Sequence, residues 1–344
     1  MRGLFLLLLL MLCTSSFSAA QSQSNGFVPK NYRSADGALV LLTNGNYVEP
    51  YFATKALLSA QDAGLDIRQA GLTWIRWALP RQRRDGRFER YCQKTGADWK
   101  PCGRADADDS MLALWLQLLY RLAPDNGMPP EWQQSVQKAQ SQLAKLRNGR
   151  LGIYHVSDRN HVALFMDNVE VYSALKDIAQ AQTRFGDKQA ASATSKQAAE
   201  LAAAIRHVFW DDRNKWFRSS MQKNQPAFYP DVLAQVYPLL ADLPLPNGDA
   251  RSAWSRWRGK FASAWLEDRY DPHPWGLVAL AALKLGDQRS ALCWLAHSES
   301  LRYSPRWNIL EEAVFQGLEK KLEAQRSNDA AACFSTMSQG AGQP

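Results

Sequence analysis

The sequence predicts an all-α protein, a toroid of six helical hairpins, (α/α)6, with short β-hairpin loops at one end. Three observations predict it. Apolar residues recur at helical spacing in eleven segments that fill most of the chain. Every second segment opens on carboxylates, aromatics, prolines or amides, while the segments between carry ordinary polar faces. Turn signals beside short alternating runs mark the hairpins.

The chain begins Met1-Arg2-Gly3, runs through leucines from Leu4 to Leu12, and reaches small residues ending Ser18-Ala19-Ala20. A basic head, a short apolar run and a small-x-small site read as a secretory signal peptide over residues 1–20. The run is too short to span a bilayer. Cys13 offers a lipoprotein alternative, but Leu12 before it is too large for the usual lipobox. Residues 21–344 are then one domain, periplasmic or secreted, with no later membrane segment.

The eleven segments start near residues 47, 66, 106, 129, 165, 188, 230, 247, 272, 287 and 307. Gly64, Gly186 and Gly286 sit where helices stop. Asp85-Gly86, Asn148-Gly149 and Asp211-Asp212 stand beside short runs such as "RLGIYHV" and "KWFRSSM" and predict small hairpins. The six unusual starts are "NYVEPYFA", "DADDSMLA", "FMDNVEVY", "YPDVLAQVY", "DPHPWGLVA" and "SPRWNILEEA". Partners such as "PEWQQSVQKAQSQLAKL" are amphipathic with plain surfaces. An inner ring of six buried helices inside an outer ring follows. If the inner helices run the same way, their starts gather into a bowl lined by carboxylates and Trp.

The net charge is +8; without residues 1–20 it is 40 basic against 33 acidic residues, +7. A basic exported protein suits anionic partners, acidic polysaccharide among them, although solvated surface charge accounts for it equally. The run "RWALPRQRRDGRFER" reads as a solvated rim, or alternatively as a track for an acidic chain. Cys92 and Cys102 flank a short loop and predict a local disulfide; Cys293 with Cys333 is a further possible pair. The absence of CxxC, HExxH, GxSxG, a phosphate loop and any nucleic-acid module argues against zinc, serine-hydrolase, nucleotide and nucleic-acid chemistry. No cofactor or metal is expected.

Three aspartates precede one apolar helix. Asp106 reads as its N-cap. That leaves Asp108 and Asp109 in the first turn, where clustered charges raise at least one pKa, which suits an acid catalyst. Asp167 and Glu170, three apart, share a helix face among Phe165, Met166, Val169 and Tyr172. They read as a site pair or as a cap with a buried ion pair. Glu49 is a sugar-subsite residue or a first-turn acid ahead of Pro50, and Asp231 after Pro230 is equally ambiguous. Of Glu311 and Glu312, one faces out. His273 between prolines packs a loop or touches sugar. Trp74, Trp77, Trp115 and Trp294 read as core; Trp99, Trp216, Trp275 and Trp307 read as stacking surfaces.

On these segments the chain resembles the six-hairpin glycosidase superfamily. "FMDNVEVYSAL" is similar to the Asp-x-Met-Met-Asn segment of unsaturated glucuronyl hydrolases, whose aspartate is a general acid/base. The resemblance implies that role for Asp167. A second functional aspartate of those enzymes, in a His-Asp-x-Gly-Phe segment, corresponds to Asp109, with Asp108 as the alternative. This chain has neither that histidine nor the Gly-Phe.

The expected function is therefore a glycoside hydrolase acting on a polysaccharide or its oligosaccharides, with Asp167 as acid and Asp109 as base across the bowl. Glu49, Tyr51, Glu170, Asp231, His273, Trp275 and Trp307 would bind sugar. Two rivals stand. A lyase on the same toroid would use Tyr51, His161 and Asn168. A non-catalytic glycan-binding or assembly protein of an exopolysaccharide pathway would need no carboxylate pair.

Overall fold

The computed structural model describes residues 25–222, 225–267, 269, 271–325 and 333; the predicted signal peptide and Cys13 lie outside these. Six helices form the inner ring: α1 (Pro50–Asp62), α3 (Asp108–Leu122), α5 (Phe165–Arg184), α7 (Tyr237–Ala241), α9 (Gly276–Lys284) and α11 (Ile309–Leu322). Between them lie the outer helices α2 (Arg68–Ala78), α4 (Pro130–Leu146), α6 (Lys188–Phe209), α8 (Ala250–Leu266) and α10 (Gln288–Ser298). Each inner helix packs on the next, and α11 packs back on α1, which closes the ring. At that seam a side chain on Gly317 would run into Ala63, its Cβ only 2.2 Å from the Ala63 Cβ. Among the described residues the outer ring has five long helices. Beyond Gln325 the described residue is Cys333, bonded to Cys293 of α10.

The links between helices are of two kinds. Inner-to-outer links are short, three residues between α5 and α6 and between α9 and α10. Outer-to-inner links are long and carry the strands. The antiparallel sheet β1 (Tyr47–Val48), β2 (Glu89–Cys92) and β3 (Lys100–Arg104) precedes α1 and α3. The pair β4 (Trp210–Asp211) and β5 (Trp216–Phe217) lies between α6 and α7. The hairpins therefore share one end of the ring, as the sequence predicts. The Cys92–Cys102 disulfide fastens β2 to β3.

Helix starts differ between the rings. Asp187, Asp249 and Asp287 cap the outer helices α6, α8 and α10, each accepting from a first-turn N–H. Of the inner helices, α11 alone has a side-chain cap, from Asn308. The other inner helices have no side-chain cap from the residue before them, so their first-turn N–H groups look to other partners.

Two sequence expectations are corrected here. The segment near residue 230 is not one continuous helix: a π-helical turn, Phe228–Val232, precedes the short α7. Pro238, which has no N–H to donate into a preceding turn, falls where the two would join. Asp106 is not the cap of α3. That position belongs to Ala107, which makes no side-chain cap, and the Asp106 side chain stands 63% exposed beside Arg90.

Candidate active site

The first turns of α3 and α5 hold two buried carboxyls, Asp109 and Asp167. Asp109 has no solvent exposure and Asp167 has 8%. Asp109 Oδ1 accepts from the Ser110 N–H at 2.9 Å, one of the uncapped groups of α3. Neither Asp109 Oδ2 nor Asp167 Oδ2 takes a hydrogen bond from an N–H or hydroxyl among the described residues. The two carboxyls are instead within hydrogen-bonding reach of each other. Two ionised carboxylates so placed would repel; one proton between them satisfies both.

Burial pushes Asp109 up to about 8, with the Glu170 charge adding to it and the Ser110 N–H opposing. Burial likewise drives Asp167 well above the usual carboxylate range, followed by the charges of Asp109 and Glu170. Each group is raised, and Asp109 adds to the rise of Asp167, so the site favours protonated carboxyls.

Beneath the pair lies a charged support. Glu170 Oε1 is 2.7 Å from Lys55 Nζ and accepts from Tyr51 Oη at 2.9 Å. Lys55 also sits over the Tyr237 ring, 5.3 Å from its centre. Lys55 and Tyr51 come from α1, Glu170 from α5 and Tyr237 from α7, so the support spans three inner helices. A lone Glu170 at 2% exposure would be costly; the Lys55 charge and the Tyr51 hydroxyl keep it in place.

Above the pair lies an aromatic mouth. Tyr229 is half exposed and feels the charges of Asp167, Asp106 and Glu170. It stacks on Trp275 with ring centres 5.1 Å apart and planes 12° apart. His273 meets Trp275 edge-on at 5.6 Å. Trp275 is held in the left-handed region (φ 49°), uncommon for a bulky residue, at the start of α9. The next residue explains the bend. The Gly276 N–H donates to buried Glu311 at 2.7 Å, and a Cβ at Gly276 would press on that carboxylate and on Trp294.

The other predicted site residues divide. Asp108 turns away from Asp109 toward Arg87, at 3.7 Å, in a network with Asp85 and Asp158. Burial raises its pKa and Arg87 opposes the rise. Glu49 is buried against Arg90 of β2, with Oε1 left without a donor among the described residues. Asp231 spends both oxygens locally, on the Ser219 hydroxyl and the Ala227 N–H. Trp307 is corrected: it is fully buried, stacked on Trp294, and donates to Glu312 at 3.0 Å, so it offers no face to sugar. Trp99 is buried too, donating to Asp36. Glu311 and Glu312 both face inward, Glu312 being paired with Arg302, so neither is the outward acid expected.

Sequence reasoning passed over Lys55, Tyr229 and the position of Asp106. Tyr229 begins the motif "YPDVLAQ", in which Asp231 is the more conspicuous residue. Lys55 carried no local signal, because its partner is 115 residues away in the chain.

No family model and no curated protein sequence matches this chain. Among solved structures it is similar to a rhamnosidase from Klebsiella oxytoca with rhamnose bound (12% identity, 79% of this chain and 58% of that one, TM-score 0.53). It is also similar to a mannosylglycerate hydrolase from Thermus thermophilus in complex with glucose (12%, 89% and 97%, TM-score 0.53). A third is an alpha-amylase from Clostridium perfringens (11%, 85% and 95%, TM-score 0.56). The chain spans 58% of the rhamnosidase's length. The fold is that of the six-hairpin glycosidases.

Proposed function

We propose that this six-hairpin fold serves as a glycoside hydrolase whose proton donor is the Asp109/Asp167 pair. What supports the reading is a pair of buried carboxyls within reach of each other, each held above the usual carboxylate range, with Tyr229 and Trp275 stacked nearby. Asp167, the more accessible of the two, hands the proton to the leaving oxygen or to an unsaturated sugar carbon. Asp109 sits behind it and sets its proton affinity.

This departs from the expectation of an acid and a base across the bowl. Inverting and retaining pairs flank the scissile bond at roughly 5–9.5 Å, which side-by-side carboxyls do not match. Either Asp167 works first as acid and then as base, or another carboxylate activates water. Asp106, exposed at the mouth and felt by both Asp167 and Tyr229, is the candidate for that second role. Tyr229 and Trp275 stack on the sugar. The glycosidases among the similar structures support carbohydrate as the substrate class. The disulfides suit an exported protein. Among the described residues no helix is long and apolar enough to cross a membrane.

The lyase reading is weaker. Tyr51 is a poor base, because burial first and then the Glu170 charge hold its proton firmly. Asn168 is occupied with the Tyr154 backbone, at 2.7 and 3.0 Å. His161 lies at the surface, stacked on His155. A binding protein would have no use for a buried proton-sharing pair.

The test is incubation with neutral, uronate-containing and unsaturated uronyl glycans, followed by mass spectrometry and ultraviolet absorbance. A hydrolase shortens chains without gain of the unsaturated chromophore, and an unsaturated-uronyl hydrolase removes it. Gain of the chromophore means a lyase, and intact glycans throughout mean a binder.

A further inference from the structure

The basic run of residues 76–90 divides in two in the folded chain. Three of its later arginines are neutralised: Arg83 by Asp85 and Glu89, Arg87 by Asp85, Asp108 and Asp158, and Arg90 by Glu49 and Asp106. Its first two, Arg76 and Arg81, have no carboxylate partner among the described residues. Arg76 reaches the Thr73 hydroxyl, and Arg81 lies on the Trp77 ring at 4.0 Å while donating to the Trp77 carbonyl. Both line a groove of about 760 Å³ along the outside of α2.

The facing wall is the segment before β1. It contributes Lys30 and Arg33, again without a carboxylate partner among the described residues. The wall is rigid. Arg33 bridges to Leu39, and Gly37 turns at φ 98° with its Cα so near Thr73 that a Cβ would lie 2.9 Å from Thr73 Cγ2. The one carboxylate lining the groove among the described residues, Asp36, is taken up by Ser34, Trp77 and Trp99. Four cations thus face a single acid already hydrogen-bonded three times.

We infer that this groove is a second, non-catalytic site for an anionic saccharide, holding its carboxylate or sulfate groups between Lys30 and Arg33 on one wall and Arg76 and Arg81 on the other. The positions of Gln69 and Arg76 span about 10 Å along α2, more than one small anion occupies. Gln69, Thr73 and Ser34 add neutral polar groups suited to sugar hydroxyls. The groove is concave, which disfavours a lipid surface. Its two aromatics, Phe27 and Trp77, are both buried, Trp77 under Arg81, and give bases no stacking platform. A single-stranded nucleic acid is therefore the less suited polyanion. The site stands on its own and does not depend on catalysis in the bowl.

The test is calorimetric titration of the full chain with four probes: a galacturonate oligomer, a sulfated oligomer of like length, a neutral cello-oligomer and oligo-dT. The wild type and Arg33→Ala/Arg76→Ala are compared, with Asp167→Asn added to keep the bowl from turning over the probe. Binding of an acidic oligomer, weakened about tenfold or more in the double variant and by raised salt, is expected. The stronger of the two acidic probes identifies the anionic group. Equal binding by the neutral oligomer, tighter binding by oligo-dT, no binding of either acidic probe, or no loss in the double variant overturns the proposal. Melting temperatures of both proteins separate lost binding from lost fold. Failure of the glycan panel leaves this result untouched, because it reads binding alone.

Discussion

Asp109 and Asp167 stand buried in the first turns of two neighbouring inner helices, their carboxyls within hydrogen-bonding reach of each other. Among the described residues no other donor serves the two facing oxygens. The uncapped starts of α3 and α5 allow this. An ordinary cap would have spent an aspartate on its own helix.

The first prediction concerns pH and stability. Asp109 ionises near the usual carboxylate value in the unfolded chain but near 8 in the folded one. Between these values the folded state holds a proton that the unfolded state has lost. Stability should therefore fall as pH rises from about 4 to about 8, by at most about 1.4 kcal/mol per pH unit for one proton. Asp109→Asn should flatten that slope. Chemical denaturation at pH 5, 6, 7 and 8 checks it; identical slopes in the two proteins would remove the shared proton from the account.

Activity should follow the same proton. The rate limb that depends on protonated Asp167 should fall well above the ordinary carboxylate range, because burial and then the Asp109 and Glu170 charges hold its proton. A pH–rate profile of kcat/KM on the cleaved glycan measures it. A limb centred near 5 would point to a different acid.

Lys55 supports Glu170 from a buried position. Lys55→Met should destabilise by about 3–5 kcal/mol, because it leaves a buried carboxylate without its cation. Lys55→Met/Glu170→Gln should recover part of the loss. A double-mutant cycle by urea unfolding decides; strictly additive losses would mean the 2.7 Å pair contributes nothing of its own.

The mouth should act on substrate affinity. Tyr229→Ala and Trp275→Ala should each raise KM by about 5-fold to 30-fold with smaller effects on kcat, since stacking holds ground and transition states alike. Steady-state kinetics checks this. Unchanged KM in both variants would take the stacked pair out of the sugar's path.

Much of this was legible in the sequence because it was periodic or local. The alternation of plain and motif-bearing helices, the small hairpins and the Cys92–Cys102 disulfide follow from such patterns. The carboxyls of Asp109 and Asp167 were legible as two carboxyls in apolar helix starts. Their contact was not, because spacing along α3 and α5 says nothing about how two separate helices approach. Trp307 and Trp99 look like Trp275 in sequence, near loops and helix starts. Burial distinguishes them, and burial depends on which neighbours fill the space. Asp106 was read as a cap since capping is what an aspartate there does most often; the chain enters α3 through Ala107 instead.

The central claim is that Asp167, with Asp109 behind it, supplies the catalytic proton, and its most direct test is the turnover of Asp167→Asn on the glycan the panel identifies. Asn nearly preserves the shape of Asp and cannot deliver the proton. The account predicts a fall of about 10²-fold or more with the melting temperature kept or raised. Near-normal turnover by the folded variant would contradict it.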